Sequence, residues 1–314
     1  MEPTVIAAPH SAPATACVRV LAPAKLNFTL RVLHRRPDGY HELESWVVLI
    51  DLCDSLKLSA AAAGSGTRLT CSDPALPSDR RNLAVAAAEA MAAAAGRAPD
   101  VDVQLDKRIP VSAGLGGGSS DAAAVLRGLN ELWGLHWPAE RLAALGAGLG
   151  SDVPLFLAGP QSIIRGRGER VSAVASPWTG FVVLVCPPFG VSTADAYRAW
   201  APVDRPTTPL GGTAGALPAA GLRPRLYNDL EPGVFRAAPR LAELHQRLDG
   251  LRDVPVRMSG SGSTLFALFD DGASAGAWAE AARSAAGEAV CVLVCETWSD
   301  RHLRLEGVVQ LGDF

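Results

Sequence analysis

The chain has 314 residues, 48% of them hydrophobic and 19% charged, enough to bury one large core or two moderate ones, and ordinary domain sizes favour two. A formal net charge of −3 gives no reason to expect nucleic acid or an acidic membrane surface as the main partner, so a small molecule is expected. Six cysteines, Cys17, Cys53, Cys71, Cys186, Cys291 and Cys295, lie far apart in mostly apolar surroundings with no Cys-x-x-Cys pair, which suits buried thiols in a reducing cytoplasm.

Met1–Ala16 carry no Lys or Arg and no long apolar run, fitting neither a signal peptide nor an anchor, and a disordered tail is expected over residues 1–17. From Val18 to Ala60 the pattern is that of strands, Val18–Leu21, Leu26–Leu33, Trp46–Ile50 and Ser55–Leu58, separated by turn material such as Arg36-Pro37-Asp38-Gly39, and it predicts an antiparallel sheet. Asn82–Ala95 reads as an Ala-rich helix ending at Gly96, and Val101–Leu105 as an alternating strand. Beyond a glycine-rich stretch a helix starts near Ser119, with Ala122, Val125, Leu126, Leu129 and Leu132 at helical spacing, and another starts at Pro138. Strands at Phe181–Cys186, Val254–Met258, Leu265–Phe269 and Val290–Val294 alternate with helices near Ala194–Trp200, Pro239–Leu248 and Ala273–Ala285, which predicts a second α+β unit. A boundary near Ala175–Thr179 gives an N-terminal domain over 18–177 and a C-terminal domain over 178–314. The segment Ala201–Pro224, with five prolines and four glycines, is expected to be a long mobile loop.

Four glycines and two serines, Gly114, Gly116, Gly117, Gly118, Ser119 and Ser120, stand directly before a helix. Glycine lets backbone amides approach an anion, and the helix N-terminus adds partial positive charge and free N–H groups, so this stretch predicts a phosphate site. It is neither a Walker loop, for no Gly-Lys-Ser/Thr follows, nor a dinucleotide fingerprint, whose last glycine would fall on Ser119 or Asp121. The bland alternative is a flexible turn with a serine cap. Only Lys25, Lys57 and Lys107 are lysines among 29 basic residues, so a lysine in a tight apolar setting is a candidate for a place arginine cannot fill.

Pro110, Gly114, Leu115, Gly116, Ser119 and Ser120 resemble, in register, the second motif of the galactokinase, homoserine kinase, mevalonate kinase and phosphomevalonate kinase (GHMP) superfamily. Pro23-Ala24-Lys25-Leu26-Asn27 followed by Arg36-Pro37-Asp38-Gly39-Tyr40-His41-Glu42-Leu43 is similar to the branch acting on 4-diphosphocytidyl-2-C-methyl-D-erythritol, as are Gly150–Phe156, Asn228-Asp229-Leu230-Glu231 and Met258–Thr264. The resemblance implies a two-domain α+β fold: a ribosomal protein S5 domain 2-like N-terminal domain and a ferredoxin-like C-terminal domain, with the active site in the cleft between them. It implies transfer of the ATP γ-phosphoryl group, with Mg2+, to the 2-hydroxyl of that alcohol in the methylerythritol phosphate route to isoprenoid precursors. A homodimer is compatible with it.

In residue terms the resemblance makes Asp152 the base, places Lys25 between it and the reacting oxygens, and has Asn27 orient the substrate. It gives Pro110, Gly114–Ser120 and Ser259–Gly262 to the nucleotide, His41 to cytosine recognition, Tyr40 to the same end, and Tyr197 to stacking. Each has a plainer reading from the residues alone: Lys25 as an exposed strand lysine, Asp152 as a helix cap before Pro154, Tyr40 and His41 as strand residues, Met258–Thr264 as a Gly-Ser loop, and Asn228 and Asp229 as caps. Rival functions are another kinase of the superfamily, a diphosphomevalonate decarboxylase-like lyase, and a silent nucleotide-binding module, against which retention of both Lys25 and Asp152 argues.

Overall fold

A computed structural model describes residues 17–175, 177–203 and 217–299. Two long strands, β1 (Cys17–Arg35) and β2 (His41–Ala60), form an antiparallel ribbon. Each predicted pair of strands is thus one continuous strand, with pairing that shifts register at Pro23/Ala24, Asn27/Thr29 and Val32/His34. A strand proline has no ladder donor, and the first shift sits where Pro23 would break the pairing. The ribbon is extended by β3 (Thr67–Cys71), β4 (Val101–Asp106), β5 (Gln161–Gly166), β6 (Arg170–Ala173) and β8 (Tyr227–Asn228), in the order β3-β4-β2-β1-β8, with β5 pairing β2 and β6 pairing β5.

Helix α1 (Leu83–Ala94) starts where Asn82 Oδ1 accepts the Ala84 amide at 3.0 Å, and α2 (Gly117–Leu132) buries Ala122–Leu126 and Leu129 against the sheet. Then come α3 (Ala139–Ala147), α4 (Leu155–Ala158), β7 (Phe181–Cys186) and α5 (Thr193–Ala199). After α6 (Ala219–Leu222) follow α7 (Glu231–Ala237), α8 (Pro239–Leu248), β9 (Arg257–Met258), β10 (Leu265–Phe269), α9 (Gly272–Ala286) and β11 (Cys291–Glu296). The second sheet runs β11-β7-β10-β9 with antiparallel neighbours, the ferredoxin-like arrangement, with α8 and α9 in its two crossovers.

The two sheets share a core. Phe28 of β1 stacks on Phe266 of β10 at 5.7 Å and meets Trp46 and Trp178 edge-on or tilted at 5.2 and 5.7 Å. The last described residues return to β2, where the Trp298 amide donates to the Leu49 carbonyl at 2.8 Å. Cys17, Cys186 and Cys295 are buried, Cys53 and Cys71 half-buried and Cys291 exposed, all as free thiols. Among the described residues no helix is long and apolar enough to cross a membrane. The expected tail lies outside the described residues except for Cys17, which opens β1 and is buried. Of the expected loop Ala201–Pro224, residues 204–216 lie outside them too, but Ala219–Leu222 corrects the expectation. It is helical, its Ala219 amide donates to Asp270 Oδ1 at 2.7 Å, and Ala219 and Leu222 are fully buried.

Candidate active site

A cleft of about 880 Å³ runs between the glycine-rich stretch and the β9–β10 connection. Side chains alternate along a strand, so Ala24, Leu26 and Phe28 enter the shared aromatic core while Lys25 and Asn27 leave β1 on the other side and line the cleft. The Lys25 ammonium donates to Asn27 Oδ1 at 2.6 Å, and Asn27 Nδ2 donates to Ser45 Oγ at 2.7 Å. The Ser45 hydroxyl donates in turn to the Thr29 carbonyl. Lys25 is only 6% exposed, and burial pulls its pKa below the usual ammonium range while the Asp152 charge opposes the shift. The ammonium expected between Asp152 and the reacting oxygens therefore rests on a neutral amide and feels Asp152 as a nearby charge.

Asp152 lines the cleft from the turn before α4. The N-cap of that helix is Pro154 and no side chain caps it, so the cap reading of Asp152 has no geometric support. Beside it the Tyr197 hydroxyl is held well above the usual phenol range, first by burial and then by the Asp152 charge.

Gly114 and Gly116 adopt left-handed φ values of +77° and +74°, which side-chain-bearing residues rarely take. A Cβ at Gly114 would stand 2.6 Å from the Ser259 carbonyl oxygen, and one at Gly116 would stand 2.9 Å from Lys25 Cγ. The two Gly/Ser stretches thus face each other, joined by the Thr264 amide donating to the Ala113 carbonyl at 3.3 Å. Helix α2 begins at Gly117, two residues before its predicted start, so the last glycines belong to its first turn with its unpaired amides. Pro110, Leu115, Gly118, Ser119 and Gly260–Gly262 line the cleft, whereas Ser120 and Ser259 are buried at 1% and 0% exposure. Among the described residues the Ser120 hydroxyl has no hydrogen-bond partner.

Beneath the first turns of α2, sequence reasoning missed a buried ion triad. Lys107 pairs with Asp54 of β2 and, at 2.8 Å, with Asp121 of α2. Asp54 Oδ1 also accepts the amides of Arg108 and Ile109 at 2.6 and 2.8 Å, pinning the start of the glycine-rich stretch. Burial opposes the Lys107 charge, but the two carboxylates win and its pKa is raised. Asp121 is pushed up to about 7, chiefly by burial against the pull of Lys107, and among the described residues its Oδ1 has no donor. The scarcity of lysine was the available signal for Lys107; nothing local marked its partners.

At the opposite end Tyr40 is 56% exposed on the cleft wall, with the Arg167 guanidinium 4.9 Å over its ring. His41 packs behind that wall, stacked on Tyr197 at 5.0 Å and edge-on to Trp200 at 5.4 Å. Burial, with Arg35 adding, lowers its pKa. Arg167 was not singled out from sequence, because a lone arginine in an Arg-rich chain carries no signal.

Residues 82–160 match the family of GHMP kinases N-terminal domains and residues 216–288 the GHMP kinases C-terminal family. The chain is 40% identical over 254 residues to the 4-diphosphocytidyl-2-C-methyl-D-erythritol kinase of Shouchella clausii, covering 80% of this chain and 85% of that one. It is 43% identical over 262 residues to the enzyme of that name from Pelotomaculum thermopropionicum, covering 81% and 90%. A crystal structure of 4-(cytidine 5'-diphospho)-2C-methyl-D-erythritol kinase superposes with a TM-score of 0.75 at 39% identity, over 90% of this chain and 100% of that one. A homoserine kinase from Cytophaga hutchinsonii superposes at 0.70 with 18% identity, over 93% and 97%, a likeness of fold alone. By this degree of identity and coverage the chain belongs to the 4-diphosphocytidyl-2-C-methyl-D-erythritol kinase family of the GHMP kinases.

Proposed function

We propose that the chain transfers the γ-phosphoryl group of ATP to the 2-hydroxyl of 4-diphosphocytidyl-2-C-methyl-D-erythritol, with Asp152 as base and Lys25 as the charge beside the reacting oxygens. The observation that carries this is the meeting of Gly114, Gly116 and Gly260 with Lys25 and Asn27 in one cleft that Asp152 also lines. In a loose phosphoryl-transfer transition state, positioning and charge stabilisation supply most of the acceleration. The amides of the glycine-rich stretch and the first turn of α2 hold the triphosphate, and Asp152 accepts the hydroxyl proton. Lys25, whose charge is under-compensated by its neutral partner, gains most when a phosphate arrives. Asn27, fixed by Ser45 and Lys25, orients the acceptor. His41, Tyr40 and Tyr197 take the cytosine.

Among the described residues no cluster of three His, Cys, Asp or Glu side chains could hold a metal, so protein groups that would hold a magnesium ion here must be sought among single side chains of the cleft. Of the two serines, Ser119 lines the cleft and would be the one to offer its hydroxyl to such an ion, which would supply positive charge against the phosphates. The test is ADP release at saturating ATP with the diphosphocytidyl alcohol, homoserine and mevalonate as alternative acceptors. Turnover with the first alone is expected. Preference for either of the others, or release of carbon dioxide from a diphosphomevalonate, defeats the reading.

A further inference from the structure

Tyr227–Asn228 runs parallel to β1 beside Thr29 and Leu30, placing Asn228 next to the strand that carries Lys25 and Asn27. Asn228 is 1% exposed, and its amide group is fully committed. Nδ2 donates to the carbonyls of Met258 at 2.9 Å and Gly260 at 2.7 Å, while Oδ1 accepts the Leu230 amide at 2.9 Å. A carboxamide has two N–H donors, and here both go to carbonyls flanking Ser259.

A phosphate-facing turn must present amides and keep carbonyl oxygens away, since a carbonyl dipole repels the anion. In this turn the Ser259 amide donates to the Thr264 carbonyl at 2.9 Å and the Gly262 amide to the Ser259 carbonyl at 3.0 Å. The amides of Gly260 and Ser261 take part in no hydrogen bond within the described residues, and both residues line the cleft. Gly260 has φ +58°, and a Cβ there would stand 3.2 Å from the Lys25 ammonium and 3.1 Å from Asn27 Oδ1. The Ser259 hydroxyl accepts the Asn27 amide at 3.2 Å, closing the connection from the other side.

We infer that Asn228 is a positioning residue for phosphoryl transfer: by holding back the carbonyls of Met258 and Gly260 it leaves the Gly260 and Ser261 amides for the triphosphate and keeps the turn against Lys25. The inference rests on the kinase reading above and deepens it. An aspartate in the same place has the same shape but turns an acceptor toward two carbonyls, so the turn reorients rather than merely loosening.

The test compares Asn228→Asp with Asp249→Ala. Asp249 Oδ1 accepts the Val256 amide at 2.9 Å just before β9, so its loss weakens the same strand without touching a carbonyl of the turn. Both variants should melt earlier than the wild type. Only Asn228→Asp should lower kcat, by roughly 10- to 100-fold, with KM for the diphosphocytidyl alcohol held within about twofold. It should also weaken a non-hydrolysable ATP analogue by about tenfold while leaving adenosine binding unchanged, because the lost contacts are to phosphate. Equal kcat losses in the two variants, or a folded Asn228→Asp with normal turnover and normal analogue binding, overturn the inference. If the wild type fails to phosphorylate the alcohol, the function reading falls, and the analogue-against-adenosine comparison still decides the role of Asn228. Should Asn228→Asp not fold, Asn228→Ser, which retains one donor, is read in the same way with a smaller expected loss.

Discussion

Lys25 and Lys107 are both buried ammonium groups on the walls of one cleft, 6% exposed in one case and 8% by side chain in the other, yet their surroundings are opposite. Lys107 is clamped by two carboxylates, which hold its pKa up against burial. Lys25 rests on a carboxamide, and burial pulls its pKa down with only the more distant Asp152 charge in support. The Lys107 end is internally compensated and acts as a strut under the glycine-rich stretch. The Lys25 end lacks the negative charge it needs, which on the function proposed above a phosphate group would supply.

The largest effect expected is from Asp152→Asn, which removes both the proton acceptor and the charge that supports Lys25. Turnover should fall by about 10²–10⁴-fold, or roughly 3–5 kcal/mol of barrier, with melting temperature and ATP binding preserved. A variant that melts normally and keeps near-full turnover would return Asp152 to a structural role.

Replacing each lysine by methionine tests the contrast directly. Lys107→Met strands the buried carboxylates of Asp54 and Asp121, and breaking such a pair typically costs about 3–5 kcal/mol, less here by whatever Asp121 regains in taking up a proton. Lys25→Met removes a poorly compensated buried charge, so it should leave chemical-denaturation stability unchanged or higher while abolishing most turnover. If both substitutions destabilise alike, the two lysines are doing the same job.

The strut should also show in the pH dependence of stability. Asp121 titrates near 7 in the folded chain, above its ordinary carboxylate value of 3.8. Between those values the folded state binds more protons than the unfolded state, so the contribution of Asp121 is present at low pH and is lost as pH rises through 7. Relative to Asp121→Asn, the wild type should lose stability from about pH 4 to 7, by at most about 1.4 kcal/mol per pH unit, and run parallel above pH 8. Parallel curves over the whole range would show that Asp121 is ionised throughout and that Lys107 dominates its surroundings.

Much of the Lys25 end was legible in the sequence and little of the Lys107 end, for a physical reason. Lys25 and Asn27 alternate with Ala24, Leu26 and Phe28, so strand periodicity alone puts them on one face. The glycine-rich stretch announces positive φ and close approach through composition. The triad depends on Asp54 of β2 meeting Lys107 and Asp121, a matter of which sheet face α2 covers, and no local pattern encodes that. The same limit explains two misreadings of elements. Proline and glycine content marks Ala201–Pro224 as a loop, but burial of Leu222 and the bond to Asp270 make a helical turn of Ala219–Leu222. The gap expected between Val18–Leu21 and Leu26–Leu33 is not a break, because β1 runs through it with a register shift at Pro23/Ala24.

The smallest effect concerns His41, a third titratable group near the cleft, where burial and the Arg35 charge together favour the neutral ring. A neutral imidazole has one donor and one acceptor, which suits the edge of a cytosine, but the ring also stacks on Tyr197 at 5.0 Å and supports it. His41→Phe separates these roles, since a phenyl ring keeps the stack and offers no hydrogen bond. With base-edge recognition by His41, KM for the diphosphocytidyl alcohol should rise about tenfold, the loss of one or two hydrogen bonds, while KM for ATP and the melting temperature stay near wild type. His41→Ala should add the loss of the stack and weaken the alcohol further, again without touching ATP. If His41→Phe proves silent and only His41→Ala weakens the alcohol, the histidine acts as a prop behind Tyr197, and cytosine selectivity must come from the Tyr40 and Arg167 wall that faces the cleft.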